Sequence, residues 1–126
     1  MSNSRQVLGI EPASIRWNVV RGDTSSIRVQ FLESDEVTSV DTSEWIFEAT
    51  AYNPKDNSFD DLDVQVDGND IIITAYSDLT EYWGRGVGTV VGHLSFDLQV
   101  IIDRTTVWTP IVGDIVVIGD VTGGRL

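Results

Sequence analysis

Apolar and polar residues alternate along most of this chain with a period of two, the pattern of strands with one buried face. Ile27, Val29 and Phe31 alternate with Arg28 and Gln30. Leu94, Phe96, Leu98, Val100 and Ile102 alternate with Ser95, Asp97 and Gln99. No long window sustains helical spacing. The apolar set is rich in β-branched and aromatic residues, which suit a pleated surface. The predicted strands are Ile15 to Val20, Ser26 to Leu32, Trp45 to Tyr52, Leu62 to Val66, Ile71 to Ala75 and His93 to Ile102. One or two further strands lie within Thr106 to Val121.

Turn chemistry separates these runs. Gly22-Asp23 and Asn53-Pro54-Lys55-Asp56-Asn57 are turn clusters. Asp67-Gly68 between alternating runs predicts a hairpin, because its turn needs positive φ. Glu33 to Thr42 reads as an acidic loop, and Ser77 to Gly92 as a glycine-rich loop with a single helical turn near Ser77 to Trp83. Pro110 and Gly113 predict a bend, a bulge or an edge position in the last strand region. Seven to eight short strands with regular turns predict an all-β fold, an immunoglobulin-like antiparallel β-sandwich. Trp45 stands where such folds place a core aromatic. The organisation expected is an N-terminal arm over 1–14, the sandwich over 15–122 and a tail over 123–126.

The length of 126 residues fits one domain able to bury a core without staples. With no cysteine, disulfides and thiolate metal sites are excluded. Met1-Ser2-Asn3-Ser4-Arg5-Gln6 lacks the apolar core of a signal peptide, and no apolar run is long enough to span a membrane as a helix. Lys+Arg total 8 against Asp+Glu 20, a formal net charge of -12. Such a surface repels nucleic-acid phosphates and anionic lipid, so neither is an expected partner. Lys55 is the sole lysine, which leaves no polybasic patch.

Candidate chemistry is sparse. His93 is the single histidine and lies on the outward face of its strand, with no Gly-x-Ser-x-Gly elbow in the chain. Asp60, Asp61, Asp63, Asp67 and Asp70 cluster in sequence but lack EF-hand spacing, so they read as a solvated turn region. Arg21-Gly22-Asp23 spells an adhesion tripeptide, yet between two strands it reads as a turn. Gly84-Arg85-Gly86-Val87-Gly88 precedes a strand rather than a helix, which is the wrong context for a phosphate loop. No cofactor or metal is implied, and no catalytic set converges. Tyr82, Trp83 and Arg85 are the candidate partner-binding residues, being of types enriched at binding hot spots. For Trp83 the alternative is that its ring caps one open end of the sandwich.

Several landmarks stand in a recognisable order. Arg21-Gly22-Asp23-Thr24 leads into an alternating strand. Asp41-Thr42-Ser43-Glu44-Trp45-Ile46-Phe47-Glu48-Ala49 forms the next. Gly92-His93-Leu94-Ser95-Phe96-Asp97-Leu98-Gln99 forms the strong late strand, and Thr106-Val107-Trp108 with Gly113 to Thr122 closes the fold. From Val20 to Thr122 this order resembles small immunoglobulin-like domains of tailed-bacteriophage virions, among them the N-terminal domain of baseplate upper proteins and minor tail proteins. Phe96 departs from that pattern, which commonly has tyrosine there. The loop Tyr82 to Val91 is longer than usual, and many relatives continue beyond the position of Leu126.

The resemblance implies a non-enzymatic structural protein of the virion, assembled in the bacterial cytoplasm. Its expected role is protein–protein contact with other virion proteins, in many symmetric copies, in tail or baseplate. Capsid decoration on the head surface is one alternative. A carbohydrate-binding module that attaches to host-surface glycan through Tyr82 and Trp83 is another. The termini 1–14 and 119–126 are candidate docking segments by strand addition or wrapping.

Overall fold

The computed structural model describes residues 3–7, 12–32 and 44–122. Eight strands and one helical turn follow in chain order: β1 (Asn3–Val7), β2 (Ala13–Val20), β3 (Ser25–Leu32), β4 (Ile46–Asn53), β5 (Ser58–Asp67), β6 (Asp70–Ala75), α1 (Ser77–Thr80), β7 (Val90–Ile101) and β8 (Val107–Ile118). The fold is all-β, as the period-two pattern predicts. The acidic segment expected as a loop over Glu33 to Thr42 lies outside the described residues, as does the tail 123–126.

The strands form one hydrogen-bonded order, β1-β3-β6-β5-β4-β7-β8-β2. Long β5 makes the fold two-layered. Its first half, Ser58 to Leu62, pairs with β4, and its second half, Asp63 to Asp67, pairs with β6. A strand that changes partners midway turns a corner between layers. One layer is β1, β3, β6 and the end of β5; the other is the start of β5 with β4, β7, β8 and β2. The two ends of the order, β1 and β2, approach each other, so the sheet nearly closes on itself.

Three expectations are corrected. The sheet is not purely antiparallel: β1 pairs parallel with β3, and β2 parallel with β8. Alternation fixes which side chains face inward but carries no direction, so strand polarity is invisible to it. Asn3 to Val7, read as part of an arm, forms β1, and β2 starts at Ala13 rather than Ile15. Finally, the strand expected at Leu62 begins at Ser58, because an aspartate at an inward position, Asp60, masks the pattern.

The core sits between the layers. Ile27, Val29, Ile71 and Ile73 from one layer, and Leu94, Leu98, Ile111 and Ile115 from the other, are all at most 1% exposed. Burying each such side chain contributes about 1.5–3 kcal/mol before the entropy of ordering is counted. Phe31 gathers Trp45, Phe47 and Trp108 at one end, with ring centroids 5.5 to 5.9 Å from its own. At the other end Trp17 meets Phe96 edge-on at 5.5 Å. Pro110 lies in β8 where the β7–β8 register shifts between Leu98 and Val100. Two residues there, Thr109 and Pro110, oppose Gln99 alone, a bulge that spares the ladder the missing proline N–H.

Candidate functional site

The loop after α1 holds the three residues singled out in the sequence, and the fold uses them differently. Trp83 is buried, 2% exposed, and belongs to the core cluster. Its Nε1 donates to Asp60 Oδ2 at 3.1 Å. The indole is therefore part of the core, with little of its ring exposed. Tyr82 is 75% exposed, and Arg85 is exposed beside it. Both line a groove of 540 Å³ with Arg21, Asn53, Lys55 and Glu81, and Trp83, though buried, also borders it.

That groove is walled by structural hydrogen bonds. Arg21, 8% exposed, donates from Nε to the Gly84 carbonyl at 2.8 Å and from Nη1 to Asp120 Oδ1 at 2.9 Å. Gly22 takes φ +84°, and its N–H donates to Thr80 Oγ1 at 3.1 Å. Thr80 Oγ1 donates in turn to the Asp23 carbonyl at 2.8 Å. Thr24 Oγ1 accepts the Ser77 N–H at 3.1 Å. Arg21-Gly22-Asp23-Thr24 is thus the junction that seats α1, and a buried Arg21 is not displayed to a receptor.

The aspartates clustered in sequence are dispersed by the corner of β5. Asp60 serves Trp83. Asp63 Oδ2 accepts the Tyr76 hydroxyl at 3.3 Å. Asp70 accepts from Arg28 Nη1 at 2.7 Å and from Gln30 Nε2 at 2.6 Å, and Asp67 stands 3.6 Å from Arg28 Nη2. The Gln30 amide above all, with the Arg28 guanidinium, holds the Asp70 carboxyl below its ordinary value against the opposing effect of burial. Among the described residues, no three His, Cys, Asp or Glu side chains gather as a metal-binding group. His93 is two-thirds exposed, with Nε2 3.6 Å from Asp114 Oδ1.

A second surface was not singled out in the sequence. On the outer face of the layer containing β2, β8, β7, β4 and the start of β5, Phe59 is 71% exposed. Its ring lies 4.8 Å from that of Tyr52, its cross-strand neighbour. Together they border a shallow depression of 410 Å³ that also reaches Thr50, Asp97, Val112 and Asp114. Asp97 is only partly accessible there, and its desolvation raises the carboxyl above its ordinary value. The sequence signal for this face is phase. Phe59 is an odd number of residues from Leu62, so β-alternation sends it to the opposite side of the strand from the core.

No protein-family model matches the chain. No curated protein matches it either. Among solved structures, it is similar to the N-terminal domain of phage TP901-1 ORF48, with 9% sequence identity and a TM-score of 0.43, over 96% of this chain and 100% of that one. It is equally similar to the cysteine protease inhibitor EhICP2 from Entamoeba histolytica, with 9% identity and a TM-score of 0.43, over 91% of this chain and 96% of that one. A domain of a phage protein is thus one structural neighbour of this chain.

Proposed function

We propose that this chain is a non-enzymatic structural protein of a tailed-bacteriophage virion that works through protein–protein contacts, in the tail or baseplate. The observation that carries the contact reading is the exposed Phe59–Tyr52 pair on the open face of a well-packed sheet. Large aromatics held on a rigid element are effective contact residues, because little side-chain entropy remains to be lost on docking. The virion reading is supported by the ordered landmarks from Val20 to Thr122. Two of them, Arg21-Gly22-Asp23-Thr24 and the closing Asp120-Val121-Thr122, share an ion pair at the loop end of the sandwich.

Quantitative mass spectrometry of purified particles of the encoding phage tests this. A few to a few tens of copies per particle is the expected result, and absence from the particle overturns it. A copy number near that of the major capsid protein would instead assign the chain to head decoration. The carbohydrate-binding alternative invoked Tyr82 and Trp83, and of these two the Trp83 ring is buried and Tyr82 is exposed.

A further inference from the structure

We propose that the outer face of the β5-β4-β7-β8-β2 layer is the docking face, and that its occupant is a partner-protein segment carrying an apolar side chain flanked by lysine or arginine. This rests on the contact reading above and names the surface and the partner's chemistry.

The pairing register brings the face together. Phe59 lies opposite Tyr52, Tyr52 opposite Ser95, Ser95 opposite Asp114, and Asp114 opposite Arg16. In the adjacent row Asp61, Thr50, Asp97, Val112 and Ser14 are aligned in the same way. The apolar centre is small: Phe59, Tyr52 and Val112, the last 39% exposed. Around it stand the carboxylates of Asp61, Asp97 and Asp114. Alternation adds Glu48, two residues before Thr50 on β4. The opposing cation on the strands of this face is Arg16, joined by His93 when protonated.

Charge decides between occupants. A second copy docking face to face would bring the Asp61, Asp97 and Asp114 carboxylates of one acidic face against the same acidic face of the other, in a chain of net charge -12. An isologous contact of that kind brings like charges together. A partner without cations would bury Asp97 further with no compensating group, and unpaired buried carboxylates are costly. A segment with an apolar residue over Phe59 and basic residues over Asp97 and Asp114 satisfies both requirements. The Tyr82–Arg85 groove lacks this asymmetry, since Lys55 and Arg85 there are offset by Asp56 and Glu81.

The test is selection of a random twelve-residue peptide library displayed on M13 against the full-length chain. Selected peptides are then synthesised and their affinity measured by calorimetry. The expected result is enrichment of peptides with net positive charge around an apolar residue. Their affinity should fall at least tenfold for Phe59→Ser and for the pair Asp97→Asn with Asp114→Asn, and fall again as salt rises. Phe59→Ser should lower the unfolding midpoint only modestly, by the loss of its cross-strand contact with Tyr52, because the side chain is outside the core. Tyr82→Ser should leave affinity unchanged. Failure to enrich, enrichment of acidic or neutral peptides, or loss of binding with Tyr82→Ser but not Phe59→Ser overturns the proposal. Sedimentation equilibrium showing a dimer that Phe59→Ser dissociates would also overturn it, in favour of a second copy. None of these outcomes touches the particle mass spectrometry, so this inference and the virion reading fail separately.

Discussion

Arg21 and Asp120, 99 residues apart in the chain, meet at 2.9 Å with side chains 10% and 20% exposed. Arg21 sits just after β2 and Asp120 just after β8, the two strands that pair in parallel. Parallel strands end together, so the residues that follow them are neighbours. The pair also holds the Gly84 carbonyl through Arg21 Nε. One guanidinium therefore fastens the β2 end, the β8 end and the loop after α1.

Arg21→Lys is consequently a damaging change despite keeping the charge. Lysine retains an attraction to Asp120 but has no second fixed donor for Gly84. A loss of about 1–3 kcal/mol is expected from the interrupted charge-assisted bonds, read from the urea midpoint at pH 7. Amide exchange at 82–88 should accelerate in the same variant. Unchanged exchange there would mean that the loop is held by other contacts.

Asp60→Ala leaves the Trp83 indole N–H without its acceptor in a buried position. The expected cost is about 1–3 kcal/mol. Trp83→Ala removes the ring itself and should cost about 3–5 kcal/mol. If denaturant unfolding shows the reverse order, the Trp83 ring is not a core contact.

Gly113 lies where β2 runs against β8. A Cβ at this position would fall on the Ile15 carbonyl and press the Phe96 ring. Gly113→Ala must move β2 or Phe96, with an expected loss of about 1–3 kcal/mol. Thermal unfolding and the indole environment of Trp17, which packs on Phe96, report the change.

Two carboxylates give opposite pH behaviour. Asp70 is held below its ordinary value of 3.8, so it stabilises the fold above that pH, and the contribution is lost as pH falls through the lower folded value. Gln30→Ala should move its NMR titration midpoint upward. Asp97 is raised by desolvation, so its ionised form at neutral pH is a small burden on the fold. Asp97→Asn should raise stability at pH 7, with the gain vanishing as pH falls below the ordinary carboxylate value of 3.8.

The sequence by itself determined that the fold is all-β and where most strands run, because side chains alternate strictly between faces. It marked the hairpin at Gly68, where φ is +62°, and the irregularity at Pro110, because both follow from local backbone chemistry. It offered two fates for Trp83 without choosing, since exposure depends on what packs over a loop. Tertiary structure alone decided the parallel pairing of β2 with β8 and the corner in β5, because strand polarity and partner exchange are set by contacts distant in sequence. It also gathered Phe59 and Tyr52 with Asp97 and Asp114 on one face. Those residues come from four strands, and only the pairing register makes them neighbours.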